Sequence, residues 1–264
     1  MPHELAGLAD LVRAAARAEL GPRAAPAPAR AKADGSLVTP ADEAMQRRLV
    51  AALGERWPGL PVLGEEMGLA EQERALAAAS RGLWVVDPID GTSNYAAGLP
   101  YYAVSVALLR EGSADLGVVH DPTRDETFAA RAGGGVFLNG VPLAAPPPPP
   151  PLASALAAVD LKRLGPALAA RLATAPPYGS QRSFGSVALD WCWLACGRVH
   201  LYLHGRQRLW DYAASELFFR ECGGRSCTLD GEPVARPDLS PRSALAALDG
   251  RLFEAWRTWI AGPV

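Results

Sequence analysis

Six consecutive prolines, Pro146 to Pro151, constrain this chain more than any other stretch. Proline lacks an amide N–H and fixes φ, so the run continues neither a helix nor an inner strand and favours extended polyproline II. Without flanking basic residues it reads better as a stiff junction than as a ligand for an SH3-type domain. It divides the 264 residues into an N-terminal part, 1–145, and a C-terminal part, 152–264, with 146–151 as the junction. That length accommodates one large domain or two small ones.

Before the junction, Leu8, Leu11, Val12 and Ala15 recur at helical spacing between Glu4 and Leu20, and Gly21-Pro22 stops them. Ala24 to Gly35, rich in Ala, Pro, Arg and Lys, reads as a mobile loop. Thr39-Pro40-Ala41-Asp42 opens a second helix, with Thr as N-cap, Pro in the first position and an acid in the third. Met45, Leu49, Val50 and Leu53 continue its buried face. Val62 to Gly64 is a short apolar piece ending in Glu65-Glu66, and Glu71 to Ser80 is predicted helical. Strands are predicted at Leu83–Val86, Tyr102–Leu109, Gly117–His120 and Thr127–Ala130, with a hairpin turn at Asn139-Gly140. This part is α+β, helices on an antiparallel meander.

After the junction, strands at Ala155–Val159 and Val199–Leu203 alternate with helices at Leu161–Leu172, Val187–Cys196 and Trp210–Cys222. Gly223-Gly224 closes the last helix and Asp230-Gly231 suggests another hairpin. This part is α/β.

Several classes are excluded early. A 49% hydrophobic and 20% charged composition is globular, and a net charge of -2 gives no electrostatic reason to expect nucleic acid or an anionic membrane. No apolar run is long enough to span a bilayer, and Met1-Pro2-His3-Glu4 lacks the features of a signal peptide, so a soluble cytoplasmic protein is expected. Four cysteines are too few for a disulfide scaffold, and Cys192 and Cys196 read as small buried hydrophobes, not zinc ligands.

The chemistry concentrates where an apolar strand runs into Asp87-Pro88-Ile89-Asp90-Gly91-Thr92-Ser93-Asn94. Two carboxylates with no adjacent cation repel each other, and a hard divalent ion such as Mg²⁺ removes that repulsion. Gly91 to Asn94 adds close backbone approach with hydroxyl and amide donors, suited to phosphate. Capping turns are the plainer alternative for Asp87, and also for Asp42 and Asp211 at their helix starts. Glu65 and Glu66 are read equally well as surface acids. His120 and His204 have no zinc-spaced partner.

Together these segments resemble the inositol monophosphatase family of magnesium-dependent, lithium-sensitive phosphatases. Asp87 through Tyr95 is similar to the family's Asp-Pro-Ile/Leu-Asp-Gly-Thr-x-Asn-Phe/Tyr signature at every position. Trp210-Asp211-Tyr212-Ala213-Ala214, followed by Glu221-Cys222-Gly223-Gly224, resembles the second signature. Gly64-Glu65-Glu66 and Lys32 through Asp42 match two further elements in the expected order.

The resemblance implies a layered αβαβα sandwich, a homodimer, and two or three Mg²⁺ ions held by Glu65, Asp87, the Ile89 carbonyl, Asp90 and Asp211. It implies that Asp42, Glu65 and Thr92 activate water, that Gly91, Thr92 and Ser93 hold phosphate, and that Asp90 and Asp211 also face the substrate. The expected activity is hydrolysis of a small phosphate monoester. In inositol-specific members an acid stands seven positions before the second-signature Asp, where this chain has His204. With Arg206, Arg208 and the pocket-lining Arg182, that imidazole suggests a second anion, as in an adenosine or fructose bisphosphate. Solvated loop charges are the alternative for Arg206 and Arg208. A non-catalytic regulatory role is the other class of function, disfavoured by the intact ligand set.

Overall fold

The computed structural model describes residues 1–20, 27–32 and 35–262. The predicted stop at Gly21-Pro22 and much of the predicted loop 24–35 lie outside the described residues. In chain order the elements are α1 (His3–Glu19), β1 (Arg30–Ala31), β2 (Leu37–Val38), α2 (Pro40–Arg56), β3 (Val62–Gly64), α3 (Leu69–Ala77), β4 (Leu83–Asp90), α4 (Thr92–Ala97), β5 (Ala103–Arg110), β6 (Ser113–Asp121), β7 (Glu126–Arg131), β8 (Gly135–Leu138) and β9 (Val141–Pro142). After the prolines come β10 (Leu156–Asp160), α5 (Pro166–Thr174), β11 (Ser180–Arg182), α6 (Val187–Ala195), β12 (Leu201–Gln207), α7 (Leu209–Glu221), β13 (Arg225–Cys227), β14 (Arg242–Ala247) and α8 (Gly250–Ala261).

Two sheets organise these elements. A seven-stranded sheet runs β3-β4-β5-β6-β7-β8-β9, antiparallel except for the parallel β3–β4 pair, and a five-stranded mixed sheet runs β11-β10-β12-β14-β13. The alternation of side chains decides the layers. Trp84 and Val86 of β4 join Leu5, Leu8 and Val12 of α1 and Met45, Leu49 and Leu53 of α2 in one core. Leu83 and Val85 face the other way, onto α6 and α7. In the second sheet Ala158, Tyr202, Ala244 and Ala246 also face α6 and α7, whereas Val159, Leu203, Leu245 and Ala247 face outward with Leu172 of α5 and Trp256 of α8. The order is therefore helices, sheet, helices, sheet, helices: the expected αβαβα sandwich. Each fully buried Leu or Val contributes roughly 1.5–3 kcal/mol, so the middle layer, apolar on both sides, joins the two sheets firmly.

Gly117 shows how closely the layers approach, since a Cβ there would lie 2.7 Å from the Ala214 carbonyl oxygen of α7. Asn139 and Gly140 both have positive φ, as a two-residue hairpin turn requires. Three expectations need correction. The helix predicted over Leu161–Leu172 is interrupted: a 3-10 turn covers Leu161–Arg163, and α5 begins afresh at Pro166, whose missing N–H suits the first helical position. Asp230-Gly231 makes a turn, with Gly231 N–H donating to the Thr228 carbonyl, but the paired strands β13 and β14 are joined by the longer segment 228–241. Finally, β4 extends past Val86 to Asp90, so both motif carboxylates lie within the strand.

Arg171 fastens the last helix. Its guanidinium donates to the carbonyls of Gly262 (2.6 Å), Trp259 (2.6 Å) and Ile260 (3.0 Å) and lies 4.0 Å from the Trp259 ring centroid. Carbonyls of a last helical turn lack the usual i+4 amide partners, although the Trp259 carbonyl also accepts from Gly262 N (3.2 Å). Arg171→Ala is expected to lower the unfolding free energy by about 2–3 kcal/mol, because charged hydrogen bonds are each worth about 1.5–3 kcal/mol. Urea unfolding measures it.

Candidate metal and phosphate site

Asp87 and Asp90 are three residues apart, and in an unbroken strand such residues point to opposite faces. Here Asp87 pairs with Ser105 and Asp90 with Ala103, so Pro88 and Ile89 together oppose the single residue Val104. This β-bulge re-phases the strand. Pro88 suits it because a proline there gives up no ladder hydrogen bond. As a result Asp87, Asp90 and Asp211 each place one carboxylate oxygen within 4.8 Å of the others.

Each carboxylate is oriented through one oxygen. Asp87 Oδ1 accepts from Ile89 N (3.1 Å). Asp90 Oδ2 accepts from Ser186 Oγ (2.5 Å) and Ala188 N (2.6 Å) at the start of α6. Asp211, in the first turn of α7, accepts from Arg208 N at 2.7 Å through Oδ2. Two buried helices thus direct the positive ends of their dipoles at the acids. For Asp42 and Asp211 the capping role and a place at the site coexist.

Gly91 turns the chain out of the strand with φ 96°, and a Cβ there would lie 3.1 Å from the carbonyl oxygens of Gly185 and Tyr101. The chain then enters α4. Thr92 Oγ1 lies 3.0 Å from the Ile89 carbonyl and 3.1 Å from Asp42 Oδ1. The other oxygen of Asp42 accepts from both the N–H (2.7 Å) and the hydroxyl (2.6 Å) of Thr39. Ser93 is exposed at the same helix start.

Glu65 follows β3, where its N–H donates to the Val86 carbonyl (3.1 Å), and its carboxylate acts directly on Asp87. Lys32 Nζ donates to Glu65 Oε1 (2.8 Å) and Glu66 Oε1 (2.7 Å), a bridge that the sequence did not suggest. Burial, followed by the charges of the neighbouring acids, holds Asp87 and Asp211 well above the usual carboxylate range. Burial pushes Asp90 up to about 7 against the opposing Ser186 and Ala188 hydrogen bonds. Asp42 is raised by burial too, and Glu66 rises to about 7. Buried acids packed like this resist ionisation together. A hard divalent cation relieves the conflict, so the donor set fits Mg²⁺.

The substrate-side residues are placed less simply. Arg182 is exposed on β11, its guanidinium donating back to Ser180 Oγ (2.7 Å) and the Gln181 carbonyl (2.8 Å). Arg208 donates to the Leu239 carbonyl (2.7 Å), and Arg206 is exposed. His204 is buried; its Nδ1 accepts from Arg206 N (3.2 Å) and its Nε2 lies 3.5 Å from Asp160 Oδ2. His120 is a satisfied core residue, 3.0 Å from Thr127 Oγ1. Sequence reasoning placed Lys32 and Ser186 only within motif segments, with no role of their own, and missed Asp160. Ser186 was findable as a small hydroxyl residue just before an apolar helix.

Comparison with known proteins shows the family. The model of the inositol monophosphatase family matches residues 6–259. The Nus factor SuhB of Xylella fastidiosa is 35% identical over 201 residues, covering 75% of this chain and 70% of that one. The inositol-1-monophosphatase of Bacillus subtilis is 31% identical over 203 residues, covering 75% and 74%. A solved IMPase/NADP phosphatase complexed with Mg²⁺ and phosphate superposes with a TM-score of 0.75 at 25% identity, covering 86% of this chain and 85% of that one. The match of the family model over nearly the whole chain, with a fold shared with a solved family structure, identifies this chain as a member of the inositol monophosphatase family.

Proposed function

We propose that this protein is a Mg²⁺-dependent phosphatase that hydrolyses a small phosphate monoester. The observation that carries the proposal is the convergence of Asp87, Asp90 and Asp211 within 4.8 Å of one another, beside a strand-to-helix turn that opens on Gly91 and Thr92. Glu65, Asp87, the Ile89 carbonyl, Asp90 and Asp211 would hold the cations. Bound Mg²⁺ would offset the phosphate charge, acidify a water and stabilise the departing alkoxide.

The protein's own groups supply the rest. The backbone N–H groups of Gly91, Thr92 and Ser93 would meet the phosphate oxygens, since first-turn N–H groups have no partners within the helix. Thr92 Oγ1 would accept a hydrogen bond from the attacking water and pass its own proton toward Asp42. Asp42 is fitted to receive it, because burial raises its proton affinity while Thr39 fixes its orientation. None of the four cysteines is needed as a nucleophile.

The test is phosphate release from inositol 1-phosphate, histidinol phosphate, an adenosine bisphosphate and fructose bisphosphate, with Mg²⁺ and with EDTA. Release from at least one ester, with Mg²⁺ only and slowed by Li⁺, is expected. Silence with all of them would favour the second reading, a regulatory protein, which the likeness to a Nus factor supports. A homodimer and a cytoplasmic location belong to the same proposal. No helix among the described residues is long and apolar enough to cross a membrane.

A further inference from the structure

Asp90 stands where the seven-stranded sheet meets the middle layer. It pairs with Ala103 at the start of β5, while its Oδ2 accepts from Ser186 and Ala188 at the start of α6. The orientation of this carboxylate therefore depends on how α6 is seated against the segment that joins α4 to β5. Two side-chain bridges outside the acid cluster set that seating.

Asn94 makes the first. Its Nδ2 donates to the carbonyls of Tyr101 and Phe184, both at 2.7 Å. Both partners are acceptors, which fixes the orientation of the amide. The amide that the sequence offers to phosphate is thus spent on backbone. Gly185 follows Phe184 with φ 87°, and a Cβ there would lie 3.2 Å from Asn94 Nδ2. The chain approaches α6 through a conformation and a gap that suit glycine.

Tyr101 and Asp190 make the second. Asp190 lies in the first turn of α6, four residues beyond the N-cap Ser186. The Tyr101 hydroxyl donates to Asp190 Oδ1 at 2.8 Å, joining buried residues 89 positions apart. The Tyr101 ring is itself held, stacked on Phe184 with centroids 4.9 Å apart and meeting Trp193 edge-on at 5.0 Å. Its carbonyl is the one that Asn94 grips, so both ends of Tyr101 are fixed. Burial holds the Asp190 carboxyl well above the usual range, which favours its neutral form. An amide copies the carbonyl oxygen of that form.

We propose that Tyr101 and Asp190 are positioning residues for the cation site: their bond seats α6 so that Ser186 and Ala188 hold the Asp90 carboxylate where a divalent ion needs it. This rests on the cation of the phosphatase proposal. Groups that orient a metal's ligands are worth about 10–100-fold in metal affinity. The Tyr101–Asp190 bond acts through Ser186 and Ala188, so the lower end of that range applies.

The experiment has two readouts, both taken without substrate. The first is amide hydrogen exchange, followed by NMR in EDTA. In Tyr101→Phe the Ala188 N–H is expected to exchange about ten-fold faster, while the Arg208 N–H on Asp211 keeps its rate. The second is calorimetric binding of Mg²⁺. Tyr101→Phe and Asp190→Leu are expected to raise Kd about ten-fold, and Asp190→Asn, which keeps an acceptor for the Tyr101 hydroxyl, to stay within about two-fold of the intact protein. Unchanged Ala188 exchange or an unchanged Kd in Tyr101→Phe overturns the proposal. So does Asp190→Asn that weakens binding as much as Asp190→Leu. Mg²⁺ binding without hydrolysis of any ester removes the phosphatase proposal alone, whereas an intact protein that binds no Mg²⁺ overturns both.

Discussion

Asp87→Asn is expected to reduce Mg²⁺-dependent phosphate release by roughly 10³-fold or more, equivalent to about 4 kcal/mol of lost transition-state stabilisation. The same variant should be more heat-resistant than the intact protein in EDTA at pH 8. Asp87 is buried against Glu65, Asp90 and Asp211, so without a cation its charge opposes folding. An amide keeps the size and removes the charge, leaving the Oδ1 contact with Ile89 N available. Phosphate release and a thermal melt on the same samples check both halves. Loss of activity with a lower Tm would assign Asp87 a structural role instead.

The second large effect is a change in the sign of the pH dependence. Asp87, Asp90 and Asp211 all have folded-state pKa values raised above the unfolded value near 4. A group raised on folding contributes stability that is complete below its unfolded pKa and is lost as pH rises through its folded one. In EDTA, Tm should therefore fall as pH rises from 5 toward 8, the Asp90 share of the loss building up below about pH 7 and levelling off above it. Mg²⁺ binds the ionised acids, so its stabilisation grows over the same interval. At about one hundred times its Kd the cation adds about 2.7 kcal/mol. For a chain of this size that is roughly 5–10 °C. A Tm in EDTA that is level or rising from pH 5 to pH 8 contradicts the account, as does a Mg²⁺ shift retained in full by Asp87→Asn.

The parts of the site that were legible in the sequence are those specified locally. The cap at Thr39-Pro40, the glycine that leaves β4, and the acids within the Asp87–Thr92 run depend on residues a few positions apart, and they stand in the structure as the spacing suggests. The interruption at Gly165-Pro166 was equally local, and a helix continued across a proline ignored it. The bulge at Pro88-Ile89 was not legible, because an extra residue is defined only against the partner strand. Short polar strands such as β11 and β13 carry no alternation to detect, and only the neighbouring strand makes them strands. His204 shows the limit most plainly. Along the chain its neighbours are arginines, which suggested an anion. Across the sheet its neighbour is Asp160, a carboxylate 44 positions earlier that chain order could not place beside it.

The five-layer order has a consequence for how such an enzyme diversifies. The acids that would cleave phosphate come from the seven-stranded sheet and the helix beneath it, whereas Asp160 and His204 belong to the five-stranded sheet on the far side of the middle layer. On the phosphatase proposal, hydrolysis is thus written on one wall, and the five-stranded sheet is left free of it. On the same proposal, drift in the five-stranded sheet leaves the reaction itself inherited unchanged.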